Sequence, residues 1–194
     1  MGAAHDNTGT KGEVRLLGRD CAALSVPWGR AETLAAGSLA TVTQRLGGAI
    51  TVLCDGNLYR IAEADADALG LDPRSQAAVP PAAENGNYSA EAVEAAAWAQ
   101  MGSCYDPEIP IDIVELGLVY ACTATPLDNG HYRVAVRMTL TAPGCGMGDV
   151  LANEVNDKLL AIPGVDEAEV ELVWEPRWNR EMMSEAARLE TGLL

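Results

Sequence analysis

Residues Tyr132 to Trp174 leave few choices of fold. Tyr132, Val134, Val136, Met138 and Leu140 alternate with Arg133, Arg137 and Thr139, which is the period of a strand with its first set facing inward and its second facing out. The chain then turns a glycine-rich corner, Thr141-Ala142-Pro143-Gly144-Cys145-Gly146-Met147-Gly148. Leu151, Val155 and Leu159 mark one face of a helix that opens near Asp149 and stops at Pro163-Gly164. Glu169 to Trp174 supplies a last strand, with Ala168, Val170, Leu172 and Trp174 on its inner side. A strand, a helix and a strand in this order make the two strands parallel and, by the usual handedness, put the helix on one face.

The residues upstream complete the layer. Ser89 or Asn87 can cap a helix that carries Glu91 and Glu94 near its positive end, buries Val93, Ala97 and Met101, and ends at Gly102. Val119 to Thr125 pairs with the alternating strand across Asp128-Asn129-Gly130, a primed-turn signal. The expected fold class is α+β, in the order helix, strand, strand, helix, strand, with both helices on one face. Cys122 falls inside the first strand and reads as core; His131, at the turn exit, reads as a surface histidine.

A small β-rich domain is expected before it, over residues 1–70. Glu13–Leu17 and Leu39–Thr43 are short strands, and Ile50–Cys54 and Asn57–Ile61 form a hairpin around Asp55-Gly56. Cys54 reads as a buried thiol in that hairpin. Glu63, Asp65 and Asp67, spaced by alanine, read as a solvated acidic patch. Residues 71–87 contain Pro73, Pro80, Pro81, Asn85 and Gly86 and few large apolar side chains, so they are expected to link this domain to a second one over 88–194.

Charge and cysteine usage narrow the chemistry. The balance of 28 acidic against 13 basic residues gives a net charge of −15, which argues against nucleic acid and suits docking to a basic protein surface. No apolar run approaches a membrane span. Met1 to Lys11 lacks the apolar centre of a signal peptide, and Asp6 stands where a myristoylation motif wants Ser or Thr, so a cytoplasmic protein is expected. The five cysteines form no Cys-x-x-Cys pair, which speaks for reduced thiols and against a structural zinc site.

Cys145 is the residue with chemistry open to it. Glycine on both flanks leaves its sulfur accessible, and the unpaired N–H groups of a helix starting near Asp149 favour an anion such as a thiolate. It is therefore a candidate reactive thiol or metal ligand, against the alternative of a small apolar residue in a glycine-rich turn.

Asp106-Pro107-Glu108-Ile109-Pro110, Leu116-Gly117-Leu118-Val119-Tyr120 and Thr141-Ala142-Pro143-Gly144-Cys145-Gly146 together resemble the signature of the small iron–sulfur assembly domain family shared by SufT and PaaD-like proteins. The tail Trp178 to Leu189 is similar to the end of SufT proteins. Arg19-Asp20-Cys21, Gln44-Arg45-Leu46-Gly47-Gly48 and Gly56-Asn57-Leu58 resemble the extra domain of their long form. The chain departs from that pattern at Arg177, where a second proline is expected. The resemblance implies an accessory factor in iron–sulfur protein maturation and not a turnover enzyme. It makes Cys145 the functional thiol, holding iron or a cluster transiently or engaging a target's thiols. Thr141, Pro143, Gly144 and Gly146 form the supporting loop, with Asp106, Pro107 and Glu108 as the acidic motif. Asp before Pro is also a common turn starter.

The same resemblance implies no tightly bound cofactor, and partners that are scaffold or carrier proteins and apo client proteins. A thiol with pKa near ~8.5 is only about 3% ionised at pH 7. The helix end favours its thiolate by roughly 1 to 2 kcal/mol, and a carboxylate such as Asp149, Asp106 or Glu108 about 7 Å away opposes it by roughly 2 kcal/mol. Such a site is tuned for a cation. One sulfur cannot hold a cluster that usually takes four, so a partner, a second copy of the chain or Cys104 must add ligands, with a partner preferred. Three other readings stay open: a PaaD-like factor for one oxygenase, a thiol enzyme with Cys145 as nucleophile, and a pure adaptor. The thiol enzyme lacks a base, because His131 lies at the opposite strand end.

Overall fold

The computed structural model describes residues 11–74, 83–84, 87–142 and 146–192. The chain divides into two compact units, Met1–Ala77 and Ala78–Leu194, and the fold is α+β. In the first unit six strands form one antiparallel sheet in the order β1-β4-β5-β6-β2-β3. They are β1 (Val14–Leu16), β2 (Cys21–Val26), β3 (Ala31–Leu34), β4 (Leu39–Leu46), β5 (Ala49–Cys54) and β6 (Asn57–Ala62). The β5–β6 hairpin closes on Asp55 and Gly56, both at positive φ (48° and 80°), as its turn type requires. Cys54 is buried beside it. Strands β2 and β3 are additions to the expected pattern. Cys-Ala-Ala-Leu-Ser-Val is made largely of small residues and carries no strong strand signal of its own; its pairing with β3 and β6 makes it a strand.

The acidic stretch after β6 differs from its expected role. It forms a 3-10 turn, Glu63–Leu69, and only part of it is solvated. Asp65 and Asp67 accept bonds from the Arg19 guanidinium at 2.8 and 2.6 Å on the surface. Glu63 instead is 6% exposed and pairs with the equally buried Arg45, while the Arg74 N–H donates to it at 2.8 Å. Period-2 spacing with alanine did not distinguish the inward carboxylate, because its partner lies in β4. Leu71 belongs to this core, and Ala83–Glu84 (β7) pairs with Asn87–Tyr88 (β8).

In the second unit α1 (Ala90–Met101) is capped by Ser89, whose Oγ accepts from the Ala92 N–H. Then follow β9 (Val119–Pro126), β10 (Tyr132–Met138), α2 (Gly148–Leu160), β11 (Val165–Leu172), a 3-10 turn at Arg180–Met182 and α3 (Glu185–Glu190). The sheet order is β11-β10-β9, with β10 parallel to β11 and antiparallel to β9. Val93, Ala97 and Met101 of α1 and Leu151, Val155 and Leu159 of α2 share one core with Val134, Val136 and Met138. Cys122 is partly buried against it. On the solvent face Arg133 pairs with Glu167 and Arg137 with Glu171.

Three local expectations are corrected. Thr139 is 1% exposed and not outward-facing, because the β9–β10 register shifts between Arg137 and Met138, and the Thr139 N–H then donates to the Leu118 carbonyl at 2.8 Å. Trp174 is 44% exposed and not inward, because β11 ends at Leu172. The β9–β10 connection is no primed turn: of Asp128, Asn129 and Gly130 only Gly130 has positive φ, and its N–H donates to the Leu127 carbonyl. That is a type I turn followed by a glycine bulge. His131 is a surface residue paired with Asp166 at 2.7 Å. Among the described residues no helix is long and apolar enough to cross a membrane.

Candidate functional site

The corner lies where β10 delivers the chain to α2, at the carboxyl end of the central strand, the end where parallel sheets commonly place their sites. Pro143, Gly144 and Cys145 lie outside the described residues. The stems on either side, Thr141-Ala142 and Gly146-Met147, are described. Helix α2 opens at Gly148 with Met147 as its N-cap, in helical backbone geometry and giving no side-chain hydrogen bond. Met147 therefore satisfies none of the first-turn N–H groups with its side chain, and a helix start of this kind favours negative charge. A Cβ at Gly148 would stand 2.6 Å from Leu140 Cδ1, so any larger residue there would push the end of that leucine side chain aside. The helix thus starts tight against the end of the strand.

The acidic stretch is built as consecutive side-chain turns. Asp106 Oδ1 accepts from the N–H groups of Glu108 and Ile109 at 2.8 and 2.9 Å. Asp112 Oδ1 accepts from those of Val114 and Glu115, both at 2.9 Å. Burial raises the Asp112 carboxyl above its ordinary range, with these N–H groups opposing. Tyr105 and Asp112 bridge the two ends of the loop. Asp106 is thus engaged in turn formation, with Pro107 half-buried and Glu108 exposed.

The four described cysteines offer little open thiol. Cys21, Cys54 and Cys104 are buried, and Cys122 is half-buried. Burial pushes the Cys21 and Cys54 thiols up and, with help from Glu94, pushes Cys122 to about 11. Cys104 donates weakly to the Gln100 carbonyl at 3.8 Å from inside the core, so it offers no open ligand. Among the described residues no group of three or more His, Cys, Asp or Glu could hold a metal ion.

The tail adds a part of the site that residue patterns did not announce. It crosses the 115–120 stretch and is pinned to it. The Trp178 Nε1–H donates to the Leu116 carbonyl and the Tyr120 hydroxyl to that of Pro176, both at 2.8 Å, and the Ser184 N–H donates to that of Glu115 at 2.9 Å. Met183 and Ala187 are buried in the core. The result is a cleft of about 310 Å³ lined by Thr139, Leu140, Thr141, Trp174, Glu175, Arg177 and Trp178. One wall is the stem of the corner and the other is the tail. The two tryptophans were the available signal, since large aromatics after a last strand need something to cover.

Residues 94–172 match the model of a family described as iron–sulfur cluster assembly protein. Over 90 residues, 46% of this chain, the sequence is 42% identical to a Porphyromonas gingivalis protein named Fe-S protein maturation auxiliary factor, covering 82% of it. Over 88 residues, 45% of this chain, it is 43% identical to the Staphylococcus aureus Fe-S protein maturation auxiliary factor SufT, covering 96% of that protein. A crystal structure of a domain of unknown function from Bacillus anthracis is 37% identical, with a TM-score of 0.48 over 54% of this chain and 96% of that one.

Proposed function

This chain belongs to the iron–sulfur cluster assembly protein family, and we propose that it serves as an accessory factor in the maturation of iron–sulfur proteins. In this reading Cys145 is the working thiol. It holds iron or a cluster as transient cargo, or engages a client's thiols. Thr141, Pro143, Gly144 and Gly146 shape its loop, and Asp106, Pro107 and Glu108 form the acidic element.

The observation that supports the proposal is that α2 starts directly after the loop that bears Cys145, with an N-cap residue, Met147, that gives no side-chain hydrogen bond. Free N–H groups at a helix start favour a thiolate over a thiol. The second unit's other thiols, Cys104 and Cys122, are withdrawn into or against the core. A single thiolate contributes one of the usual four cluster ligands, so the cargo is shared with a scaffold or carrier protein and handed to an apo client. A second copy of the chain is the alternative source of ligands. No resident cofactor and no turnover chemistry are part of this role, and reduced thiols suit the cytoplasm.

The test is anaerobic reconstitution of wild type and Cys145→Ser with ferrous iron and sulfide, followed by transfer to an apo [4Fe–4S] protein. The expected result is loss of bound iron and of transfer in the variant, with an unchanged circular dichroism spectrum. Equal loading and transfer would overturn the role given to Cys145 and leave an adaptor. Turnover of a small ester or disulfide, lost in the variant, would replace it with a thiol enzyme.

A further inference from the structure

We infer that the cleft between the end of β10 and the tail is a peptide-binding site for a partner segment with one carboxylate flanked by apolar side chains, anchored by Arg177. The cleft of about 310 Å³ accommodates one or two side chains. Trp174, Trp178 and Arg177 line it, and Trp and Arg are the residue types that dominate binding hot spots. Trp174 stands 44% exposed, although it follows the end of a strand whose core it could have joined.

Charge selects the occupant. The chain carries −15, so a carboxylate is repelled by most of its surface. Arg15, Arg19, Arg45, Arg133 and Arg137 are already matched to acids. Arg177 is exposed, lines the cleft and has no ion pair among the described residues. Its guanidinium fork fits a carboxylate, and two parallel bonds give geometric selection as well as attraction. Glu175 on the same cleft opposes a second negative charge and offers an acceptor to the segment's backbone N–H, which favours an isolated carboxylate in an extended segment over an acidic run. Thr139, Leu140 and Thr141 form one wall of the cleft, so a bound segment holds its protein against the strand end that leads into the corner.

The inference refines the partner of the proposed maturation role, and its test uses neither iron nor Cys145, so the two can fail separately. The probe is acetyl-Ala-Leu-Glu-Leu-Ala-amide, titrated calorimetrically into the full chain beside the peptide with Gln in place of Glu. A third peptide, acetyl-Ala-Leu-Ala-Leu with a free terminal carboxylate, distinguishes a side-chain from a chain-end source. A carboxylate peptide is expected to bind about tenfold or more tighter than the Gln peptide, the effect of one charge-assisted pair. Arg177→Gln is expected to erase that preference, and Trp174→Ala to weaken all three peptides. No binding at millimolar peptide, equal binding of charged and neutral peptides, or a preference that survives Arg177→Gln would overturn the inference.

Discussion

Gly117 lies directly under the backbone carbonyl of Met182, with no space for a Cβ between them, and its own φ is +69°. Two separate demands, a left-handed backbone and a close approach, meet at one residue. The Leu-Gly-Leu-Val-Tyr stretch is therefore a seat for the tail. Glycine lets the tail cross, the Leu116 carbonyl receives Trp178 and the Tyr120 hydroxyl reaches Pro176. The cleft exists because the tail is held there.

Gly117→Ala is expected to cost about 2–4 kcal/mol, roughly 1–2 kcal/mol for the left-handed backbone and the rest for displacing Met182. Gly70 is the control. It has φ +63°, and a Cβ there would meet nothing within 4 Å, so Gly70→Ala should cost only the backbone part, about 1–2 kcal/mol. Urea unfolding of the two variants checks this, with limited proteolysis of the tail as a second readout. Equal costs would mean that the tail does not press on Gly117.

Trp178→Phe keeps an aromatic wall and removes the 2.8 Å bond to the Leu116 carbonyl. The expected loss is about 1 kcal/mol, the net worth of one such bond. Trp178→Ala should lose more, because the ring itself is partly buried against the core. Urea midpoints for the pair give the difference, and similar losses for Phe and Ala would assign the whole effect to the hydrogen bond.

What was legible in the sequence was local. Alternation at Tyr132–Leu140, the Ser89 cap, the Asp55-Gly56 turn and the 151/155/159 helix face each rest on neighbours within a few residues, and they specify the strand–helix–strand core. What was not legible depends on distant partners. Glu63 looks like its acidic neighbours until Arg45 faces it across 18 residues of chain, and Cys21–Val26 becomes a strand only between β3 and β6. At the site, Asp106 was legible as a turn former, but the tail wall was not. Gly117 and Met182 carry no local sign of each other, and Trp174 reads as one more inward residue of an alternating strand.

The Arg45–Glu63 pair makes the first unit sensitive to acid. Burial would raise the Glu63 carboxyl, but the Arg45 guanidinium and the Arg74 N–H outweigh it and hold it below the ordinary 4.5. A carboxyl depressed in the folded state gives stability that is present above its unfolded value and lost as pH falls through its folded one. Urea stability should therefore hold from pH 7 to about 5 and decline below the ordinary 4.5. Glu63→Gln leaves Arg45 buried without its counter-ion, at a cost of about 3–5 kcal/mol at pH 7. The gap between wild type and variant should narrow as pH drops through that window. A gap that stays constant from pH 7 to 3 would show that the pair is not what titrates.

Native thiol labelling separates the cysteines by kinetics. Cys21, Cys54 and Cys104 are buried, and Cys122 is held near 11 by burial and Glu94. At pH 7 a thiol of that pKa is roughly 0.01% thiolate, against about 3% for an ordinary free one. One rapid equivalent of iodoacetamide is therefore expected in the folded chain, located at Cys145 by peptide mass mapping and absent from Cys145→Ser. The other four should react only in denaturant. Anaerobic ferrous iron, if Cys145 binds it, should slow the rapid phase and leave the rest unchanged. A rapid phase that persists in Cys145→Ser would mean that one of the thiols in or against the core opens to solvent, and the role given to Cys145 would then need a different residue.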